Sequence, residues 1–148
     1  MISLSSNQKN EIDQMQKRSK VIQQEVFSNL PFSLRLVQKY HRELIEFKIR
    51  LEELCDETDA MEEKLVILQG LTFIEHLLTR ALSDDYGRYV EMALHIDPEN
   101  GEFLGKKAMW LDAQQSPSLA VENYYHLELY RKSYECEKLA ARKTEAYN

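Results

Sequence analysis

VQKYHRELIEFKIRLEEL, residues 37–54, sets Val37, Tyr40, Leu44, Phe47, Leu51 and Leu54 apart by steps of three, four, three, four and three. That alternation is the heptad spacing of a helix that buries one narrow ridge. Nothing near it breaks the pattern: no Gly or Pro lies between Pro31 and Gly70, and the 148-residue chain holds four Gly and three Pro in all. These are the residues that permit sharp reversals and end helices, so stretches without them are predicted to be α-helical. The few that occur are expected where helices stop, and the sequence predicts an all-α protein.

Working outward, the heptad frame continues through Thr58 to Met61, Leu65 and Leu68. Residues 33–82 are therefore either one rod or a helical hairpin. Asp59 followed by Glu62 has capping-box spacing and favours a tight reversal near residues 56–59. Upstream, Ile12, Met15, Ile22 and Val26 mark a thin apolar stripe across an N-terminal amphipathic helix within residues 1–30, with its first ten residues expected to fray. Asn29 to Ser33 reads as a break in which Ser33 caps the next helix.

Beyond Gly70, the residues Leu71, Phe73, Ile74, Leu77, Leu78, Ala81 and Leu82 cover more than half of a helix circumference, the signature of a central core element. Ser83 to Gly87 reads as a turn plus N-cap, a short helix carries Tyr89, Val90, Met92, Ala93 and Leu94, and Asp97 to Gly101 ends it. A helix around Phe103–Ala113 follows. Ser116-Pro117 then starts a last helix running to about Thr144. The expected architecture is a single domain of six or seven helices arranged as antiparallel hairpins or a bundle.

Composition excludes several classes. The net charge is −6, with nine Lys/Arg against five Asp/Glu in residues 1–50, three against fourteen in 51–102, and seven against six in 103–148. A block of −11 in the middle repels phosphates, so nucleic acid is not expected as a partner. The mean hydropathy is −0.53, and no run of 18 apolar residues exists, which argues against a membrane span. The start of the sequence lacks the pattern of a secretory leader. The expected location is the cytoplasm, with export by a dedicated secretion machine as the alternative. Cys55 and Cys136 stand apart from each other and from any Cys/His cluster, so neither a disulfide framework nor a zinc site is expected.

The stretch Ala93-Leu94-His95-Ile96-Asp97-Pro98-Glu99-Asn100-Gly101-Glu102 resembles the end of a tetratricopeptide repeat, where Ala and Leu lead into an Asp-Pro turn and the next helix. The resemblance covers residues 84–128. It implies that Leu104, Ala108 and Leu111 take the large, small and bulky positions of one helix, and Ala120 and Tyr124 the small and aromatic positions of its partner. Small residues let paired helices approach, and large ones fill the flanking layers. The chain departs from the pattern at Lys107, Leu127 and Arg131-Lys132, and one period earlier at Gly70 and Tyr86.

Catalytic chemistry finds no foothold. His41, His76, His95 and His126 form no HExxH and none follows a Glu by three residues, which disfavours carboxylate-bridged metal bundles. His41 between Lys39 and Arg42 could be imagined as a phosphate carrier, but it reads more simply as a residue flanking the Tyr40/Leu44 ridge. Without Gly-bearing loops there is neither an oxyanion hole nor a phosphate cradle. No cofactor, metal or enzymatic activity is expected.

Two features point to protein partners. Glu52, Glu53, Asp56, Glu57, Asp59, Glu62 and Glu63 form an acidic cluster that reads as a docking face for a basic partner, a decoy of nucleic-acid charge, or the solvated end of a hairpin. Tyr124, Tyr125, Tyr130 and Tyr134 fall within eleven residues, more than one helical stripe can bury, and tyrosine suits interfaces. With the Val37 to Leu54 ridge they are the expected contact surfaces of an adaptor or assembly subunit, its partner another protein or a second copy of the chain. The other expectation is a small acidic chaperone or inhibitor that masks a basic partner through residues 52–63.

Overall fold

The computed structural model describes residues 2–28, 34–79, 81 and 83–115, and the side chain of Val37 lies outside that description. Among the described residues there are five helices and no strand: α1 (Ser6–Ser28), α2 (Leu34–Glu57), α3 (Met61–Thr79), α4 (Asp84–Ile96) and α5 (Gly101–Gln115). The expected count of six or seven is thus five over this part of the chain, while the Ser33 cap and the last helix fall outside the described residues.

Three of the four glycines, however, do not stop helices. Gly70 sits inside α3, Gly87 inside α4 and Gly105 inside α5. At Gly70 a Cβ would come within 3.3 Å of both the Gln16 and the Leu51 side chains. Gly70 therefore marks a crossing of α3 with α1 and α2, not a helix end. The turn that does end α3 uses Ala81 with a φ of 61°, a left-handed conformation that costs a non-glycine residue about 1 kcal/mol.

The reversal after α2 occurs at residues 58–60, so residues 34–79 form a hairpin rather than a rod. Its chemistry differs from the Asp59/Glu62 box. Thr58 Oγ1 accepts from the Ala60 N–H at 3.1 Å and donates to Glu63 Oε1 at 2.6 Å. The start of the chain grips this turn: the Leu4 N–H donates to the same Glu63 oxygen at 2.9 Å, and the Ile2 carbonyl accepts from the Asp59 N–H at 2.8 Å. Leu4 is buried, and Ser5 and Gln8 close a reciprocal capping box at 3.1 and 2.8 Å, a device that satisfies two orphan helix donors. Instead of fraying, residues 2–10 are anchored.

Ser83 caps α4 as expected, its Oγ accepting from the Tyr86 N–H at 3.1 Å. Asp97 to Asn100 forms the next turn, and Asn100 Oδ1 caps α5 by accepting from the Phe103 N–H at 3.2 Å.

Cross-helix pairs fix the direction of each element. Arg18–Glu43 at 2.9 Å and Arg50–Glu11 at 2.6 Å run α1 against α2. Lys64 to the Cys55 carbonyl at 2.8 Å, together with Lys48–Glu75, runs α2 against α3. Lys107–Glu91 at 3.1 Å, with Trp110 beside Gly87, runs α4 against α5. Alternate helices share a direction: Gln69 to Glu102 at 2.7 Å and Lys106 to Thr72 at 2.8 Å join α3 to α5 across 33 and 34 positions. Lys48 to Asp85 at 2.7 Å and Tyr89 to Glu52 join α2 to α4 across 37 positions each. Helix α3 is the hub. It meets helices on several sides, which explains why its buried residues, Ile67, Leu68, Leu71, Ile74, Leu77 and Leu78 among them, wrap most of its surface.

Candidate functional site

The heptad ridge is consumed by the fold. Tyr40, Leu44, Leu51 and Leu54 are buried, and Phe47 packs half-buried against the same core. This corrects the expectation of an open contact surface: α2 lies between α1 and α3, whose apolar side chains receive its ridge. Of the other expected contact residues, Tyr124, Tyr125, Tyr130 and Tyr134 lie outside the described residues.

The acidic cluster divides into working and idle members. The Glu52 carboxylate accepts from the Tyr89 hydroxyl and lies 3.9 Å from Arg88. Glu53 pairs with Arg50 at 3.1 Å, Glu57 accepts from the Gln8 amide at 2.6 Å, and Glu63 holds Thr58, Leu4 and Lys9. Those contacts, the Thr58 hydroxyl foremost, hold the Glu63 carboxyl below its ordinary pKa. Asp56, Asp59 and Glu62 are exposed.

A polar junction that the sequence did not announce ties α2, α3 and α4 together. Glu75, only 2% exposed, accepts from Lys48 through one carboxylate oxygen and from Ser83 Oγ at 2.7 Å through the other. Lys48 also donates to Asp85 at 2.7 Å, and the Trp110 indole N–H donates to the Ser83 carbonyl at 3.0 Å. Burial opposes the charge on Lys48, but its hydrogen bonds to Asp85 and Glu75 outweigh that and leave its pKa raised. The same Lys48 bond lowers the pKa of Asp85, while burial and then Glu52 push the Tyr89 phenol far up. A buried carboxylate matched at both oxygens, as Glu75 is, favours one packing arrangement, whereas an unmatched one would destabilise it. The one sequence signal was Glu75 itself, a charge inside the apolar run Phe73 to Leu78.

A cleft of about 210 Å³ opens where α1, α3 and α5 come together. Gln16, Ser19 and Lys20 of α1 form one wall, Gln69, Gly70, Phe73 and Ile74 of α3 the floor, and Glu102 and Lys106 of α5 the other wall. Lys106 donates to Thr72 Oγ1, pairs with Glu102 at 3.2 Å and lies 4.8 Å from the Phe103 ring centroid. Burial lowers its pKa. Around one apolar floor the cleft offers amides, a hydroxyl, ammonium groups and a carboxylate, a set suited to holding a polypeptide segment.

Among the described residues no group of His, Cys, Asp and Glu could hold a metal ion, and no helix is long and apolar enough to cross a membrane. The Cys55 thiol is buried and free, and burial raises its pKa, which makes it a poor nucleophile. His126 and Cys136 lie outside the described residues. No protein-family model, no curated protein and no solved structure matches this chain.

Proposed function

We propose that this chain is a helical adaptor or assembly subunit, without catalytic activity, whose hairpins stack in the manner of tetratricopeptide repeats. The observation that carries the reading is the cleft lined jointly by α1, α3 and α5. When hairpins stack, alternate helices share one face, and side chains from successive repeats line a common binding surface. The 33- and 34-position offsets between α3 and α5 agree with the tetratricopeptide period of about 34 residues. Leu104, Ala108 and Leu111, which the resemblance assigns to contact with a following helix, are exposed on α5. Their expected partners Ala120 and Tyr124 lie outside the described residues.

Photo-crosslinking tests the reading. A photoreactive residue at Lys20 or Gln69 should give the same discrete adduct in native lysate, weakened at least tenfold by Phe73→Arg, while one at Glu46, exposed on α2, should give none. Equal labelling from all three positions would defeat it.

A second reading, the acidic chaperone or inhibitor acting through residues 52–63, is favoured by the exposed carboxylates of Asp56, Asp59 and Glu62. Binding by such groups weakens steeply as salt rises, whereas an apolar contact is nearly indifferent to it.

A further inference from the structure

We propose that the open groove between the first turns of α1 and α3 docks a partner segment bearing an apolar side chain flanked by Lys or Arg. The inference takes the sign of the partner's charge from the second reading above and is independent of the α1/α3/α5 cleft.

The groove has a volume of about 280 Å³ and is lined by Leu4, Lys9, Ile12, Glu62, Glu63 and Val66. Leu4 and Ile12 are buried, and Val66 stays 43% exposed. The same end of the molecule leaves Ile2 63% and Met61 65% exposed. Ile2 is held there by the bond from its carbonyl to the Asp59 N–H, and Met61 opens α3. Val66 lines the open groove itself, and with Ile2 and Met61 exposed at the same end it leaves apolar surface of the kind that marks interaction sites.

Charge selects the occupant. Glu62 lines the groove, Asp59 sits on the adjoining turn and Asp56 in the last turn of α2, and none of the three has an ion-pair partner among the described residues. The nearby bases are engaged: Lys9 lies 3.4 Å from Glu63, Lys64 donates to the Cys55 carbonyl, and Arg50 serves both Glu11 and Glu53. An acidic segment would be repelled here. A Leu or Phe side chain would enter the groove while flanking ammonium or guanidinium groups met the idle carboxylates, giving a fast, salt-sensitive encounter around an apolar anchor.

The probe is a short fluorescent peptide with a Leu-Phe pair between two Lys-Arg pairs, titrated with the intact chain and followed by anisotropy. Saturable binding is expected, weakening about tenfold between low and moderate ionic strength. Val66→Arg and Glu62→Lys should each weaken it at least tenfold. Lys20→Glu, in the other cleft, should change it by less than about twofold. Both groove positions are exposed, and circular dichroism checks that the variants keep their helix content. Failure of the peptide to bind overturns the proposal, as does equal binding by the Val66→Arg chain or by a peptide with Glu in place of Lys and Arg. Self-association of the free chain that Val66→Arg abolishes, read as mass by light scattering, makes a second copy the occupant and also overturns it. Peptide binding that persists while the Lys20 and Gln69 crosslinks fail removes the adaptor cleft alone.

Discussion

Helices α2 and α5 both carry apolar side chains at close spacing, yet the fold treats them in opposite ways. Helix α2 seals Tyr40, Leu44, Leu51 and Leu54 inside the core, whereas α5 buries Phe103 and Ala113 and leaves Leu104, Met109 and Leu111 nearly half exposed. The difference lies in their neighbours. Among the described residues, α2 packs against both α1 and α3, while α5 packs on α4 and reaches α3 through the hydrogen bonds of Gln69 and Lys106. An apolar ridge on one helix thus does not say whether it faces a core or a partner.

The sharpest way to break this contrast is truncation. Leu51→Ala should destabilise the chain by about 2–5 kcal/mol, because the surrounding helices cannot collapse into the cavity. Leu111→Ala should change stability by about 0.5 kcal/mol or less. Urea unfolding followed by circular dichroism measures both, and equal losses would erase the distinction between the helices.

Glycine substitutions probe how α5 is seated. A Cβ at Gly87 would stand 2.5 Å from the Trp110 ring, while one at Gly105 meets nothing within 4 Å. Gly87→Ala should therefore cost about 1–3 kcal/mol through overpacking. Gly105→Ala, which gains helix propensity without a clash, should stabilise by about 0.5–1 kcal/mol. Thermal unfolding of the pair reads both signs, and a neutral Gly87→Ala would mean that α5 shifts freely on α4.

The mildest effect is on pH dependence. Glu63, Glu11 and Asp85 have lowered pKa values, held down chiefly by Thr58, Arg50 and Lys48 respectively. Each binds its proton more weakly folded than unfolded. Their contribution is complete above the ordinary carboxylate range and is lost as pH falls through their folded values. Lys106 on α5, lowered by burial, works at the other extreme: its unfavourable term fades as pH rises from its folded value toward the ordinary lysine value. Acid should thus lower the stability of the chain, and the burial penalty of Lys106 should shrink as pH rises toward the ordinary lysine value. Glu63→Gln should lose less stability on acidification than the parent does, and parallel pH profiles would show that the Glu63 clamp contributes nothing.

What the sequence disclosed was local chemistry. The Ser83 cap and the Asp97 to Gly101 turn were legible because a cap needs side chains only a few positions from the backbone they serve, whereas the reversal before Met61 was placed correctly but through a different cap, Thr58 with Glu63. What stayed hidden depends on residues far along the chain. Gly70 and Gly87 read as interruptions because the Leu51 and Trp110 side chains that demand small neighbours lie 19 and 23 positions away. Glu75 shows its role only once Lys48 and Ser83 are brought to it, and Leu4 only once Glu63 is. The candidate cleft was illegible for the same reason: its walls lie on three helices that one stretch of sequence cannot set side by side. The acidic cluster was visible as composition, but its division into engaged carboxylates and the idle Asp56, Asp59 and Glu62 was not.

Trp110 is the chain's single tryptophan, and its indole rests against Gly87 with its N–H on the Ser83 carbonyl. The molecule therefore carries a built-in optical gauge. Excited at wavelengths that spare tyrosine, its emission colour reports the seating of α5 on α4 without any dye.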